Sequence, residues 1–157
     1  MPQDNRNDGR SSAADSLNYA VLPELIGYNL RRAEGAMTQD FMRTLGDEVA
    51  ITPGQFGVLV LIDANPGLNQ TTLGRALGID RSTVVSVIDK LEARGLVERA
   101  PSAHDRRSYA LGLSAAGVEL LGRARPLVRR HEDQLASALS DEERARLIDL
   151  LRRLVSA

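Results

Sequence analysis

LGIDRSTVVSVIDKLEARGLVER, residues Leu77 to Arg99, joins two short helices through a turn of two residues. Asp80 can cap a helix in which Val84, Val87, Ile88 and Leu91 recur at helical spacing, and Gly95 closes it. Its other side carries Arg81, Ser82, Val85, Ser86 and Asp89, mostly small or polar. Upstream, a short helix is expected from about Gln70 to Leu77, capped by Asn69 and closed by Gly78. Two helices joined this tightly describe a helix-turn-helix. A DNA major groove about 12 Å wide admits a helix only if its reading face is slim and can donate and accept hydrogen bonds.

On the N-terminal side, Thr52-Pro53-Gly54-Gln55 reads as a helix start with a capping box, followed by Phe56, Leu59, Val60 and Ile62 and stopped by Asn65-Pro66-Gly67. On the C-terminal side the period changes. Leu96 to Arg99 is a strand candidate, Pro101 to Arg107 a polar turn, and Tyr109, Leu111 and Leu113 alternate with small residues, so a β-hairpin with a charged tip is expected. The resulting order over residues 52–113 is a winged helix-turn-helix.

Longer helices flank it. One is expected from near Leu17 to Gly46, with Leu22, Ile26, Leu30, Ala33, Met37 and Phe41 as its stripe. Another starts at Ser114 and carries Val118, Leu121, Val128, Leu135 and Leu139 across Pro126. The last, behind a Ser140–Glu143 capping box, buries Leu147, Ile148, Leu151 and Leu154. Long helices at both ends cannot all cover one small lobe, so burial between two chains is the preferred reading, and a dimer also supplies the two-fold symmetry of palindromic DNA. The fold class is mostly α with a small β-hairpin wing. Residues 1–16 are read as a flexible tail and residues 17–157 as one domain, with dimerisation helices over 17–45 and 114–155.

Composition narrows the function. The 157 residues are 43% hydrophobic, enough for one core, and 26% charged. Cysteine is absent, which removes disulfides and thiolate chemistry. Aromatics make up 3%, too few to stack single-stranded nucleic acid. No apolar run is long enough to span a bilayer and no signal peptide is evident, so a cytoplasmic location and no membrane partner are expected. No nucleophile–base pair, metal cluster or glycine-rich phosphate loop is present, so no enzyme and no cofactor are expected. His104 and His131 are the only histidines; their separation gives no metal-ligand spacing, and His131 is read as packed or at a dimer interface. Net charge is −1, yet residues 69–112 hold seven basic and five acidic side chains. That modest surplus argues against the alternative, a sequence-tolerant architectural DNA-binding protein held by electrostatics alone.

The candidate DNA contacts follow from this layout. Arg81 can pair with guanine or hold a phosphate, Ser82, Thr83 and Ser86 can reach phosphates or base edges, and Val85 can meet a thymine methyl. Thr71 and Arg75 on the preceding helix join them, with Lys90 and Arg94 farther along for the phosphate backbone. At the wing tip, His104 and Arg106 suit a narrow minor groove, while Asp105 and Arg107 share a strand face and brace each other.

These residues resemble the MarR family of transcriptional regulators over residues 18–155. The most specific match is Asp105-x-Arg107-x5-Leu113-Ser114-x2-Gly117, with serine for the commoner threonine, and Leu77 to Arg99 matches the family's recognition helix and first wing strand. The resemblance implies a homodimer with interlocked terminal helices, each winged helix reading half of a palindrome on double-stranded DNA. It also implies repression relieved by a small molecule. Tyr19, Tyr28, Arg31, Arg32 and Phe56 offer aromatic surfaces and carboxylate-pairing groups near the helices where the family binds ligands, which suggests an aromatic or phenolic acid or its thioester. Ser86 departs from the arginine common in relatives, so the operator sequence does not transfer.

Overall fold

In the computed structural model the described residues are 17–101 and 109–156, apart from the side chains of Asp47 and Glu48. The expected flexible tail and the wing tip, with His104, Asp105, Arg106 and Arg107, lie outside them. The helices are α1 (Ile26–Val49), α2 (Pro53–Ala64), α3 (Gln70–Leu77), α4 (Arg81–Ala93), α5 (Ala115–Leu135) and α6 (Asp141–Val155). Strands β1 (Val97–Pro101) and β2 (Tyr109–Leu113) form an antiparallel pair in the register Val97 to Leu113 and Pro101 to Tyr109. This is the mostly helical chain with one hairpin that the sequence leads one to expect. It divides into two compact units, residues 1–35 and 36–157, where the sequence reading draws one domain from residue 17.

The first helix departs from expectation at its start. It does not begin near Leu17: Leu22–Glu24 form a single 3-10 turn around Pro23, Leu25 is extended, and α1 starts at Ile26. Pro23 has no amide hydrogen to continue a helical ladder, so it serves a tight turn instead. Gly46 ends its regular part, as the sequence leads one to expect. At φ 56° and ψ −164°, a conformation open to glycine, Gly46 breaks the run and a last turn continues to Val49. Leu45, Val49 and Ile51 on either side of that break are all buried.

The second unit has one core. Phe41 and Leu45 of α1, Leu59 and Ile62 of α2, Leu73 of α3, Ile88 and Leu91 of α4, Leu111 of β2 and Leu121 of α5 meet in it. Each such side chain contributes about 1.5–3 kcal/mol by leaving water. The helix starts match their sequence signals closely. Thr52 with Gln55 and Ser140 with Glu143 form reciprocal capping boxes, and Asn69, Asp80 and Ser114 each accept from an amide of the first turn.

Burial along the C-terminal helices is incomplete in the single chain. Leu121 is buried, but Val118, Leu135 and Leu139 are exposed. Leu147, Ile148, Leu151 and Leu154 of α6 are also exposed in the single chain, Leu154 at 51%. The periodicity identifies an apolar stripe correctly, but periodicity cannot say what covers it. In one chain the core draws on α1 to α5 and both strands, and no residue of α6 belongs to it.

Candidate nucleic-acid interface

The helix-turn-helix is locked by small residues and local caps. Gly78 adopts φ 65°, the left-handed region that glycine favours, and the amide of Ile79 donates to the Gly74 carbonyl at 3.1 Å. A β-carbon on Gly74 would stand 2.9 Å from Val84 Cγ2 and 3.2 Å from the Ile79 carbonyl oxygen, so glycine is what lets α3 and α4 approach there. Around this turn Thr71, Arg75 and Arg81 line a hollow of about 370 Å³ together with Gln70 and Ile79. Three of the expected DNA contacts are thus brought to one place by the fold.

At the start of α4, Asp80 gathers three donors. Its Oδ1 accepts from the Thr83 amide at 3.0 Å and from the Ser82 hydroxyl, and its Oδ2 accepts from the Thr83 hydroxyl at 2.6 Å. The Ser82 hydroxyl, then the Thr83 hydroxyl and amide, hold the Asp80 carboxyl far below the usual carboxylate range. It therefore stays charged and keeps both hydroxyl protons. In this state Ser82 and Thr83 can accept from a donor but have no proton free for a phosphate oxygen, so a phosphate contact there needs the hydroxyls to turn away from Asp80. Ser86 and Lys90 follow along the exposed side of α4, while Val85 is half-buried.

Two arginines are placed by the tertiary structure in ways their spacing conceals. Arg94, expected near phosphate, donates instead to the carbonyls of Ala50 at 2.8 Å and Val49 at 3.3 Å. It satisfies the open carbonyls where α1 ends, a task for which its position just after α4 is suited. Arg99 on β1, for which strand spacing alone names no partner, donates to Asp89 of α4 at 2.5 Å and to Glu92 one turn on. With its amide oxygen toward the guanidinium, Gln70 of α3 accepts from Arg99 Nε at 3.2 Å and Nη2 at 3.1 Å.

The wing is tied to the helices at both ends. The Leu111 amide donates to the Leu68 carbonyl at 2.8 Å, just ahead of α3. The Ser114 amide donates to the Leu96 carbonyl at 3.1 Å, and the Ser114 hydroxyl donates to the Gly95 carbonyl at 2.5 Å while accepting from the Gly117 amide at 3.0 Å. Leu113-Ser114-x2-Gly117 is therefore the clasp between hairpin and α5. Gly117 is buried, and a β-carbon there would collide with the Leu96 carbonyl.

The residues expected to bind a ligand are divided between the two units. Within the first unit the Tyr19 and Tyr28 rings lie 6.4 Å apart, and the Arg32 guanidinium stands 5.7 Å over the Tyr28 ring. Arg31 is exposed. Phe56 belongs to the second unit, where its ring is 6.3 Å from that of Phe41. His131 is packed, 1% exposed, with Nδ1 2.9 Å from Asp40 Oδ2 and its ring edge-on to Phe41. Among the described residues no group of three or more His, Asp or Glu is arranged to hold a metal, and no helix is long and apolar enough to cross a membrane.

Comparison with known proteins agrees with this architecture. Residues 51–108 match the model of the MarR family. A putative transcriptional regulatory protein for the hcr operon of Thauera aromatica is 40% identical over 144 residues, covering 92% of this chain and 86% of the relative. A structure of the transcriptional repressor CouR bound to a 23-mer DNA duplex superposes with a TM-score of 0.81 at 44% identity, covering 88% of this chain and 98% of that one. CouR bound to p-coumaroyl-CoA also gives a TM-score of 0.81, at 41% identity, covering 88% and 97% of the two chains. With a winged helix-turn-helix at its centre and a transcriptional regulator 40% identical along most of its length, the chain belongs to the MarR family.

Proposed function

We propose that this chain is a sequence-specific repressor that binds a pseudo-palindromic operator as a homodimer and is released by a small aromatic effector, an acid or its thioester. The observation that carries the reading is the exposed face of α3 and α4, where Thr71, Arg75 and Arg81 surround one hollow and Ser86 and Lys90 extend the line. That face is slim, bears donors and stands on a rigid turn, as entry into a major groove requires. The likeness to DNA-bound CouR supports it. Arg106, outside the described residues, is read as the wing's minor-groove contact with His104 beside it, and Asp105 with Arg107 as the brace of the wing.

The homodimer reading draws on α6, whose apolar residues face solvent in one chain, and on Leu22, Ile26 and Leu30 in the first unit, likewise exposed. Two winged helices related by a two-fold axis would read half-sites about one helical turn apart, roughly 10 base pairs. The effector reading draws on CouR with p-coumaroyl-CoA and on the Tyr19, Tyr28 and Arg32 group. Aromatic rings and a guanidinium are the chemistry that a phenolic acyl group would meet. Binding would change the separation of the two reading heads, so that contacts on both half-sites no longer form together.

Capture of genomic fragments by the purified protein at near-physiological salt tests the regulator. A sharp palindromic site is expected; broad capture without a motif would replace this reading with the architectural one. Titration calorimetry with aromatic carboxylates and their coenzyme A thioesters tests the effector, and failure of every one to bind would refute that ligand class.

A further inference from the structure

Asp89 lies two turns beyond Ser82 on the exposed side of α4, beside Lys90. A carboxylate in that line faces the phosphates of any duplex the helix enters, and repulsion there opposes binding. The structure answers it with Arg99. Its guanidinium, with a side chain only 22% exposed, donates to Asp89 from Nη2, to Glu92 from Nη1 and to the Gln70 amide oxygen from Nε and Nη2. One planar group thereby joins the first turn of α3, the C-terminal part of α4 and the first wing strand. Only arginine presents donors in several directions from one fixed plane.

The geometry points to Arg99 as a positioning residue of the DNA-reading face: it draws the Asp89 carboxylate back toward the wing and offsets its charge, rather than contacting DNA itself. This rests on the DNA-binding reading of α4 and deepens it. The consequence is that loss of Arg99 harms binding through Asp89, so removing Asp89 as well should undo the harm.

The test uses the full chain and a duplex that the wild-type protein enriches from a random-sequence pool. R99Q is expected to bind that duplex about tenfold more weakly at low salt, with the gap closing as salt rises because repulsion is screened. R99Q/D89N should return to within about threefold of wild type, since the repelling charge is gone. R99Q/E98Q is the control: it removes a charge from the neighbouring residue, whose carboxylate lies outside the clasp, and should stay weak. Wild-type affinity in R99Q, failure of D89N to recover binding, or equal recovery by E98Q would each overturn the inference. If R99Q melts too early to assay, R99K and R99K/D89N decide: a lysine cannot hold Asp89, Glu92 and Gln70 from one plane, so R99K is expected to bind about threefold more weakly than wild type at low salt and D89N to restore it, and no loss in R99K or no recovery with D89N would overturn the inference. Should the wild-type chain enrich no duplex, the DNA-binding reading itself falls, and this inference with it. That outcome is recognised before any variant is made.

Discussion

The carbonyl oxygen of Leu96 occupies the space that a β-carbon at position 117 would need. The same carbonyl accepts from the Ser114 amide, so it cannot swing aside without breaking the junction between hairpin and α5. Glycine at 117 thus belongs to the wing attachment as much as to the helix. Gly117→Ala is expected to destabilise the fold by about 2–4 kcal/mol, although alanine is ordinarily the better helix former. Gly122, also in α5, has nothing within 4 Å of its β-carbon position. Gly122→Ala should therefore stabilise by up to about 1 kcal/mol. Urea denaturation of the two variants should move the midpoint in opposite directions; movement in the same direction would show that helix propensity alone governs both sites.

Acid sensitivity should centre on Asp80. Its carboxyl titrates below its usual value of 3.8 because the Ser82 hydroxyl, then the Thr83 hydroxyl and amide, favour the charged form. Such a group adds stability that is fully present above its unfolded pKa and is lost as pH falls toward the folded one. Asp80→Asn keeps an amide-capping oxygen but removes the titration. Melting temperatures followed downward from neutral pH should fall less steeply in Asp80→Asn than in the wild type. Parallel curves would mean that Asp80 does not govern the acid limb.

Asp40 and His131 make a second polar tie, across α1 and α5. The hydrogen bond from His131 holds the Asp40 carboxyl below its usual value, with Arg43 adding to the effect against partial desolvation. His131 Nε2 is buried and, among the described residues, finds no partner. His131→Ala would lose both the ring packed edge-on to Phe41 and the bond to Asp40, and we expect a cost of about 2–4 kcal/mol. Denaturant titration checks this through a lower midpoint at unchanged slope. A loss well under 1 kcal/mol would indicate that the surrounding core closes over the gap.

The exposed stripe of α6 gives a prediction about assembly. Leu151→Arg introduces a charge into that stripe without touching the core of the second unit. Sedimentation should then show a dimer for the wild type and a monomer for the variant, with helical content by circular dichroism preserved. A variant that remains dimeric would remove α6 from the interface.

What the sequence determined by itself is the local chemistry. Thr52 with Gln55, Asn69, Gly78, Asp80, and Ser140 with Glu143 are legible because each acts on backbone within four residues, where spacing alone fixes the partner. The change of period from α4 to the hairpin is legible for the same reason. The tertiary structure alone decided where the long side chains went. Arg94 finds carbonyls 44 residues away and His131 finds Asp40 at a separation of 91, distances at which sequence spacing carries no information. Arg99 reaches across from a strand to two helices, a direction set by the strand's pleat and by its rotamer. The apolar stripe of α6 divides the same way: its periodicity was written in the sequence, but its exposure appears only once the core has closed without it, because burial depends on how much surface the other elements leave uncovered.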